Sequence, residues 1–246
     1  TTTVRIVDQK IIVREATSDD KKYAKIITDE MAESAKARGT GIAKRSPDYI
    51  QSKMEEGKAV IAMTEDGTWV GFCYIEAWEH EKYVANSGLI VSPPFRKSGV
   101  ATEIKRSVFA LSRKRYPDAK IFGLTTGLAV MKINSDLGYE PVTYSELTSD
   151  DKFWKGCESC VNYEILMSKQ RKNCMCTAML YDPVEKAAQK AQAEAQAKPA
   201  EPAKPRIAAF ERLIRLKEFV MLRGFGKKDE TSGEKKSSLL SFLFFW

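Results

Sequence analysis

The chain has 246 residues, of which 43% are hydrophobic and 30% charged; that accommodates one well-buried domain with an appendage and excludes two large domains, a wholly disordered chain or a fibrous one. The net charge of +7 is unevenly spread, with 13 Lys/Arg against 8 Asp/Glu in residues 184–246 and 27 against 25 before them. A nearly neutral body lacks the broad positive face that nucleic-acid binding needs, so no nucleic acid is expected there.

The longest apolar run, residues 239–246, is interrupted by Ser241 and falls far short of the roughly 20 residues of a membrane span. The opening stretch is mixed and polar rather than a basic-then-apolar leader. The protein is therefore expected to be soluble and cytoplasmic, with a first residue other than Met that reads as processing or an incomplete terminus. Five cysteines without a leader point to reduced thiols or metal rather than disulfides.

In chain order, residues 11–14 read as a short strand, and Thr17-Ser18-Asp19-Asp20 as a helix start, followed by Ile26, Ile27 and Met31 at helical spacing. Pro47 opens a second helix at a position where its missing amide hydrogen costs nothing. Residues 59–64 and 69–75 are strands joined by Glu65-Asp66-Gly67-Thr68, a hairpin signal. Residues 84–91 form a third strand in this run, and a helix reaches Arg115. A strand at 120–125 and a helix at 129–137 follow, then strands at 140–144 and 161–167. The body is α/β.

The strongest site signal lies between the strand ending at Val91 and the helix starting near Gly99. Pro93 and Pro94 stop the strand. A helix start leaves amide hydrogens unpaired and carries partial positive charge, so it binds phosphate oxygens. Ser98, Gly99 and Ala101 are small enough for close approach, Arg96 and Lys97 add charge, and Thr102 adds a hydroxyl. The segment reads as a pyrophosphate cradle, or else as an ordinary Gly-containing strand-to-helix turn. It has neither the Gly-Lys-Ser/Thr of a Walker loop nor the three glycines of a dinucleotide fingerprint.

Val91-x-Pro93-x-x-Arg96-x-x-Gly99-x-Ala101 resembles the acyl-CoA motif of the GNAT N-acyltransferase superfamily. The order of elements around it is similar to that family's over about residues 10–168. The resemblance implies a mixed central sheet flanked by helices, with acyl-CoA (acetyl-CoA or succinyl-CoA) as co-substrate. It implies that the backbone of Leu89, Ile90 and Val91 binds the pantetheine arm. The amides of Lys97, Ser98, Gly99, Val100 and Ala101 would hold the pyrophosphate, and the thioester would enter between this strand and residues 120–125.

The implied reaction is attack of a neutral amine on a thioester carbonyl, which needs a base, oxyanion donors and an acid for the leaving thiolate. Family members often carry the acid as a Tyr four residues before a helix-end Gly. Counted from Gly138-Tyr139, that position is Asn134, which cannot release a proton at neutral pH; Ser135 or water are the fallbacks. Glu76, Glu79 and His80 are the candidate bases, and each also reads as a solvated turn residue.

Residues 36–46 join the first two helices, which in this family cover the acceptor. Arg38, Lys44 and Arg45 there suit an acidic acceptor, since Arg pairs bidentately with carboxylates; a solvated basic loop is the alternative. Thr125 is a further candidate for acceptor binding. Residues 35–46, 84–89 and 125–132 are similar to a bacterial GNAT subgroup of arginine biosynthesis that acylates the α-amine of glutamate. The expected function is therefore acyl-CoA-dependent N-acylation of a small-molecule amino-acid acceptor, glutamate first. A different amine or protein acceptor is one alternative. An acyl-CoA-sensing module without turnover is another, which Asn134 favours.

Cys157 and Cys160, with Cys174 and Cys176, form two pairs that could close a tetrahedral structural zinc site at about 2.3 Å per bond. Reduced free thiols and a redox pair are the other readings, and Lys169, Arg171 and Lys172 are expected to lower the thiol pKa values. Cys73 reads as core. Residues 184–205 read as a solvated helix breaking at Pro199, Pro202 and Pro205 into an extended linker. Residues 206–223 form a basic amphipathic helix that docks to the body, to a sister subunit of a homodimer, to a partner or to an anionic membrane surface. The expected organisation is a GNAT-like domain at 1–168, a cysteine-bearing extension at 169–183, the linker at 184–205, and the amphipathic helix with its apolar tail at 206–246.

Overall fold

The computed structural model describes residues 2–6, 9–39 and 44–196. The chain divides into a unit of Thr1–Gln192 and a second of Ala193–Trp246; the amphipathic segment and the apolar end expected at 206–246 lie outside the described residues, as does the linker's last part, 197–205.

The strands are β1 (Thr2–Ile6), β2 (Gln9–Glu15), β3 (Ala59–Thr64), β4 (Trp69–Trp78), β5 (Tyr83–Val91), β6 (Lys120–Thr125), β7 (Glu140–Val142) and β8 (Thr177–Tyr181). The helices are α1 (Ala24–Arg38), α2 (Pro47–Glu55), α3 (Val100–Arg115), α4 (Leu128–Asp136), α5 (Asp151–Lys155), α6 (Tyr163–Ser168) and α7 (Pro183–Gln196). One eight-stranded mixed sheet runs β1-β2-β3-β4-β5-β6-β8-β7. Every neighbouring pair is antiparallel except β5 and β6.

Local chemistry sets the element boundaries. The Thr17 amide donates to Asp20 at 2.8 Å, and both Arg14 guanidinium nitrogens donate to the same carboxylate at 2.8 Å, tying β2 to the entrance of α1. Ser46 Oγ accepts from the Tyr49 amide at 3.2 Å, capping α2, with Pro47 in its first turn. Alternation along the strands divides the core. Val60 and Ala62 pack with Val100, Ile104, Val108 and Leu111 of α3, while Ala59 and Ile61 pack with Ile27, Met31, Ile50 and Met54 of α1 and α2. Each fully buried Val, Ile or Leu stabilises the fold by about 1.5–3 kcal/mol.

The strand expected at 161–167 is a helix, α6. Its buried Leu166 and half-buried Tyr163 lie three apart and pack into one cluster. Val161, Ile165 and Met167, which would have to share a buried face of a strand, are exposed. The closing strand is instead β8, inside the segment assigned to the cysteine-bearing extension. It sits between β6 and β7, and its Ala178, Met179 and Leu180 are all buried. β1 was likewise not signalled by the polar opening. α7 is helical where a solvated helix was expected, and none of its residues is buried. No described helix is long and apolar enough to cross a membrane.

Candidate active-site cleft

The cleft follows from how two strands meet. β5 and β6 pair for three residues only, Tyr83–Ala85 against Lys120–Phe122, after which they diverge. From Gly123 onward β6 pairs only with β8, so its other edge opens into the gap. The β4–β5 register shifts between Phe72 and Tyr74, and Gly88 sits opposite this irregularity at φ +65°. A Cβ there would lie 2.3 Å from the Tyr74 ring, so only glycine allows the strand to bend at this point.

Gly88, Leu89 and residues 122–127 line the gap, and Asn134 of α4 and Lys105 of α3 face it from one side of the sheet. The opposite wall comes from Arg38 and Arg45 near the α1–α2 connection, Tyr74 and Glu76 of β4, and Tyr144 and Trp154. The turn into α3 stands at the end of β5. Gly99 is at φ +88° and Lys97 at +62°, and the backbone amides of residues 97–101 have no backbone acceptor among the described residues. A Cβ at Gly99 would meet nothing within 4 Å, so the space beside these amides is open. Unpaired amides at the start of a 16-residue helix, next to open space, fit a diphosphate.

Arg96 does not extend into that space. Its Nε donates to the Val91 carbonyl at 3.0 Å, and its NH2 meets Glu30 at 2.5 Å and Ser34 Oγ at 2.8 Å, so it pins the end of β5 to α1. Ser98 Oγ donates to the Phe95 carbonyl and steadies the turn. Val100 is buried beneath the helix start; Ala101 and Thr102 are half-buried, and the Thr102 amide donates to the Gly99 carbonyl at 3.0 Å. Ile90 is buried and points into the core, which leaves Leu89 and Val91 on the other side of the strand.

The three candidate bases separate. Glu76 is buried on the cleft wall, where it accepts from Tyr49 Oη and from Arg45 NH2 at 3.2 Å. Arg45 Nε also meets Tyr74 Oη at 3.0 Å, so Arg45, Tyr49, Tyr74 and Glu76 form one network. Its consequence is that burial and the Glu76 charge push the Tyr49 hydroxyl well above its usual range. Glu79 instead accepts from Thr148 Oγ1 and the Ser149 amide, both at 2.7 Å, and these donors hold its carboxyl below the usual range. His80 is exposed in the same left-handed loop. Neither Glu79 nor His80 is on the cleft lining.

Among the acceptor candidates, Arg38 stands at the mouth, and burial together with neighbouring Arg96 lowers its pKa. Arg45 is already neutralised by Glu76. The Lys44 amide donates to Ser159 Oγ at 3.1 Å, and its exposed side chain does not line the cleft. Thr125 is on the lining, and its Oγ1 accepts from the Gly127 amide at 3.1 Å. Asn134 is 1% exposed; its Oδ1 has no hydrogen-bond partner and its Nδ2 rests 3.7 Å from Met179 Sδ. The fallback Ser135 is exposed and off the lining.

Cys157, Cys160, Cys174 and Cys176 come to one wall of the cleft as free thiols. The zinc reading finds no support: among the described residues no group of three or more His, Cys, Asp or Glu side chains is placed to hold a metal ion. Two of the thiols also shift opposite to expectation. Burial, with neighbouring thiols, pushes Cys157 up to about 11 and Cys176 up to about 12. Arg171 pairs with Asp151 at 2.5 Å instead of serving the thiols. Cys73 is core, as expected. Sequence reasoning missed Tyr49, Tyr74 and Lys105. Only Lys105 left a trace, as a charge on the apolar stripe of α3.

Residues 24–129 match the Acetyltransferase (GNAT) family. Comparison with curated proteins gives no match. Among solved structures, N-acetylglutamate synthase from Neisseria gonorrhoeae is 15% identical with a TM-score of 0.50, covering 70% of this chain and 35% of the synthase, so the chain spans about a third of that protein. Rv2747 from Mycobacterium tuberculosis is 16% identical with a TM-score of 0.50 over 70% of this chain and 98% of its own. yncA from Salmonella typhimurium is 14% identical with a TM-score of 0.50, covering 70% and 94%. These identities carry the fold alone. The match runs from α1 to the start of α4, and over that stretch the chain is similar to the Acetyltransferase (GNAT) family.

Proposed function

We propose that the chain is an acyl-CoA-dependent N-acyltransferase whose acceptor is the α-amine of a small acidic amino acid, glutamate first, as in arginine biosynthesis. The observation that carries this is the row of amides at residues 97–101, without backbone acceptors, at the end of a strand that parts from its parallel neighbour. A diphosphate on those amides puts the pantetheine arm along Leu89 and Val91, and its thioester, acetyl or succinyl, in the split beside Gly123. Two structural neighbours support the donor and acceptor: the gonococcal synthase is complexed with coenzyme A and N-acetyl-glutamate, and yncA with its cofactor acetyl-CoA.

Arg38 at the mouth is the cation for the acceptor's carboxylates, because Arg45 is engaged with Glu76. Glu76, the carboxylate on the lining among the described residues, is the group to take the proton that the attacking amine loses. A second reading, an acyl-CoA sensor without turnover, is favoured by Asn134 in place of a proton-donating side chain. Calorimetric titration with acetyl-CoA and succinyl-CoA, followed by CoA release against a panel of amino acids, separates the readings. Binding with release that is fastest on glutamate is expected. Binding without release for any amine would favour the sensor, and no binding of either thioester would overturn both.

A further inference from the structure

The core face of α3 carries one residue that does not belong in a core. Val100, Ile104, Val108 and Leu111 are apolar and buried there, and Lys105 among them is only 2% exposed. Among the described residues its ammonium has no carboxylate within ion-pair distance and no hydrogen-bond acceptor; its neighbour is the Tyr139 ring, 5.3 Å away. Two titratable groups face it. Cys73 of β4 is pushed up to about 11 by burial, and the Tyr139 hydroxyl is pushed well above its usual range. Both are neutral near pH 7, so neither compensates an ammonium. A buried cation without an anion is costly, and the cost falls when an anion arrives or when the ammonium gives up its proton.

Lys105 reaches the cleft from the same side of the sheet as Asn134. Other hydroxyls and thiols near it are committed. Tyr139 Oη donates to Asn86 Oδ1 at 3.0 Å, Asn86 Nδ2 donates to Ser112 Oγ at 2.7 Å, and Cys73 Sγ donates to the Ser87 carbonyl at 3.3 Å. Across the cleft, Tyr74 Oη is held by Arg45 and Tyr144 Oη donates to the Cys176 carbonyl at 2.8 Å.

Building on the acyltransferase reading above, we propose that Lys105 is the proton donor to the departing CoA sulfur, the role that Asn134 cannot fill. In this step the amine lone pair of the acceptor forms the C–N bond and the C–S bond breaks with its electron pair on sulfur. One Nζ–H proton of Lys105 passes to that sulfur. The products are the amide, neutral CoA thiol and a neutral lysine amine. The acceptor nitrogen loses its proton to Glu76, and Lys105 regains one from solvent as CoA leaves. Burial favours this direction, because it makes the ammonium a stronger acid than a solvated lysine and suits the neutral amine that remains.

The test uses the full chain and CoA itself. Thiolate ultraviolet absorbance of bound CoA is followed against pH in the wild type and in Lys105→Met, which keeps the length and packing of the side chain. The bound thiol is expected to ionise at lower pH than free CoA in the wild type and to lose that depression in K105M. Alongside it, kcat with acetyl-CoA is expected to fall about 10²-fold with KM for acetyl-CoA within about threefold. Equal thiol titration in both proteins, or an unchanged kcat, would overturn the assignment. Should K105M fail to fold, the wild-type titration decides alone, since an undepressed thiol pKa rejects the role. Failure of the wild type to bind CoA in calorimetry is a separate result that removes the acyltransferase reading itself.

Discussion

Two glycines beside the cleft are required for different reasons. Both have positive φ, +65° at Gly88 and +88° at Gly99, but only the first is also enclosed. A methyl group at Gly88 would overlap the Tyr74 ring and stand 3.0 Å from Met31 Cε, whereas one at Gly99 meets open space. Gly88→Ala therefore adds overpacking to backbone strain and is expected to lower stability by about 2–4 kcal/mol in urea unfolding. Gly99→Ala carries only the left-handed penalty, about 1–2 kcal/mol, and its larger effect should be on CoA affinity because its amide belongs to the proposed diphosphate cradle. A Gly99→Ala protein as unstable as Gly88→Ala would show that the space beside the turn is not open. Gly99 was legible from its spacing to Val91 and Arg96. Gly88 was not, because its need arises from a ring on the neighbouring strand, 14 residues away in sequence.

At the scale of elements, the legible parts were those whose signals are local. The hairpin at Glu65-Asp66-Gly67-Thr68, the strand Lys120–Thr125 and the Pro47 helix start formed where spacing and turn chemistry put them. β8 escaped because a short strand buried on both faces shows no alternation, and Ala178, Met179 and Leu180 are not strong strand formers. Its place between β6 and β7 is a long-range fact that nothing within its own five residues encodes. The Arg45–Glu76 pair was invisible for the same reason, although each residue was singled out separately as a candidate. A decisive consequence concerns where the folded unit stops. Without β8, the outer edge of β6 and all of β7 lose their partner, so a chain ending at Ser168 is expected to give no cooperative thermal transition and no CoA binding. A chain ending at Gln196 keeps the whole sheet and is expected to melt as the full protein does and to bind CoA equally. Cooperative folding of the shorter chain would mean that the strand order β6-β8-β7 is wrong.

Across the molecule, electrostatic ties join elements that apolar packing holds only in part, and three of them use carboxylates with depressed pKa values. Burial raises Asp20, but Arg14 and the Thr17 amide outweigh it and hold the carboxyl low, tying β2 to the approach to α1. The Lys58 ammonium, 2.7 Å away, does the same for Glu56 between α2 and β3. Burial raises Asp182 too, yet Lys120 at 2.8 Å and the Val184 amide at 2.9 Å hold it low where β6 meets the start of α7. A carboxylate with a depressed folded-state pKa contributes stability that is complete above the unfolded value, about 4, and is lost as pH falls through the folded one. The urea midpoint is therefore expected to be flat from pH 7 to about 5 and to drop steeply below about 4. Asp20→Asn keeps the shape but cannot ionise. It should cost about 1–3 kcal/mol at pH 7 and progressively less toward pH 3, so that its profile converges on the wild type. Profiles that stay parallel down to pH 3 would show that the Asp20 charge contributes nothing, and that the joint between β2 and α1 rests on Ala16, Ala24 and Ile27 packing alone.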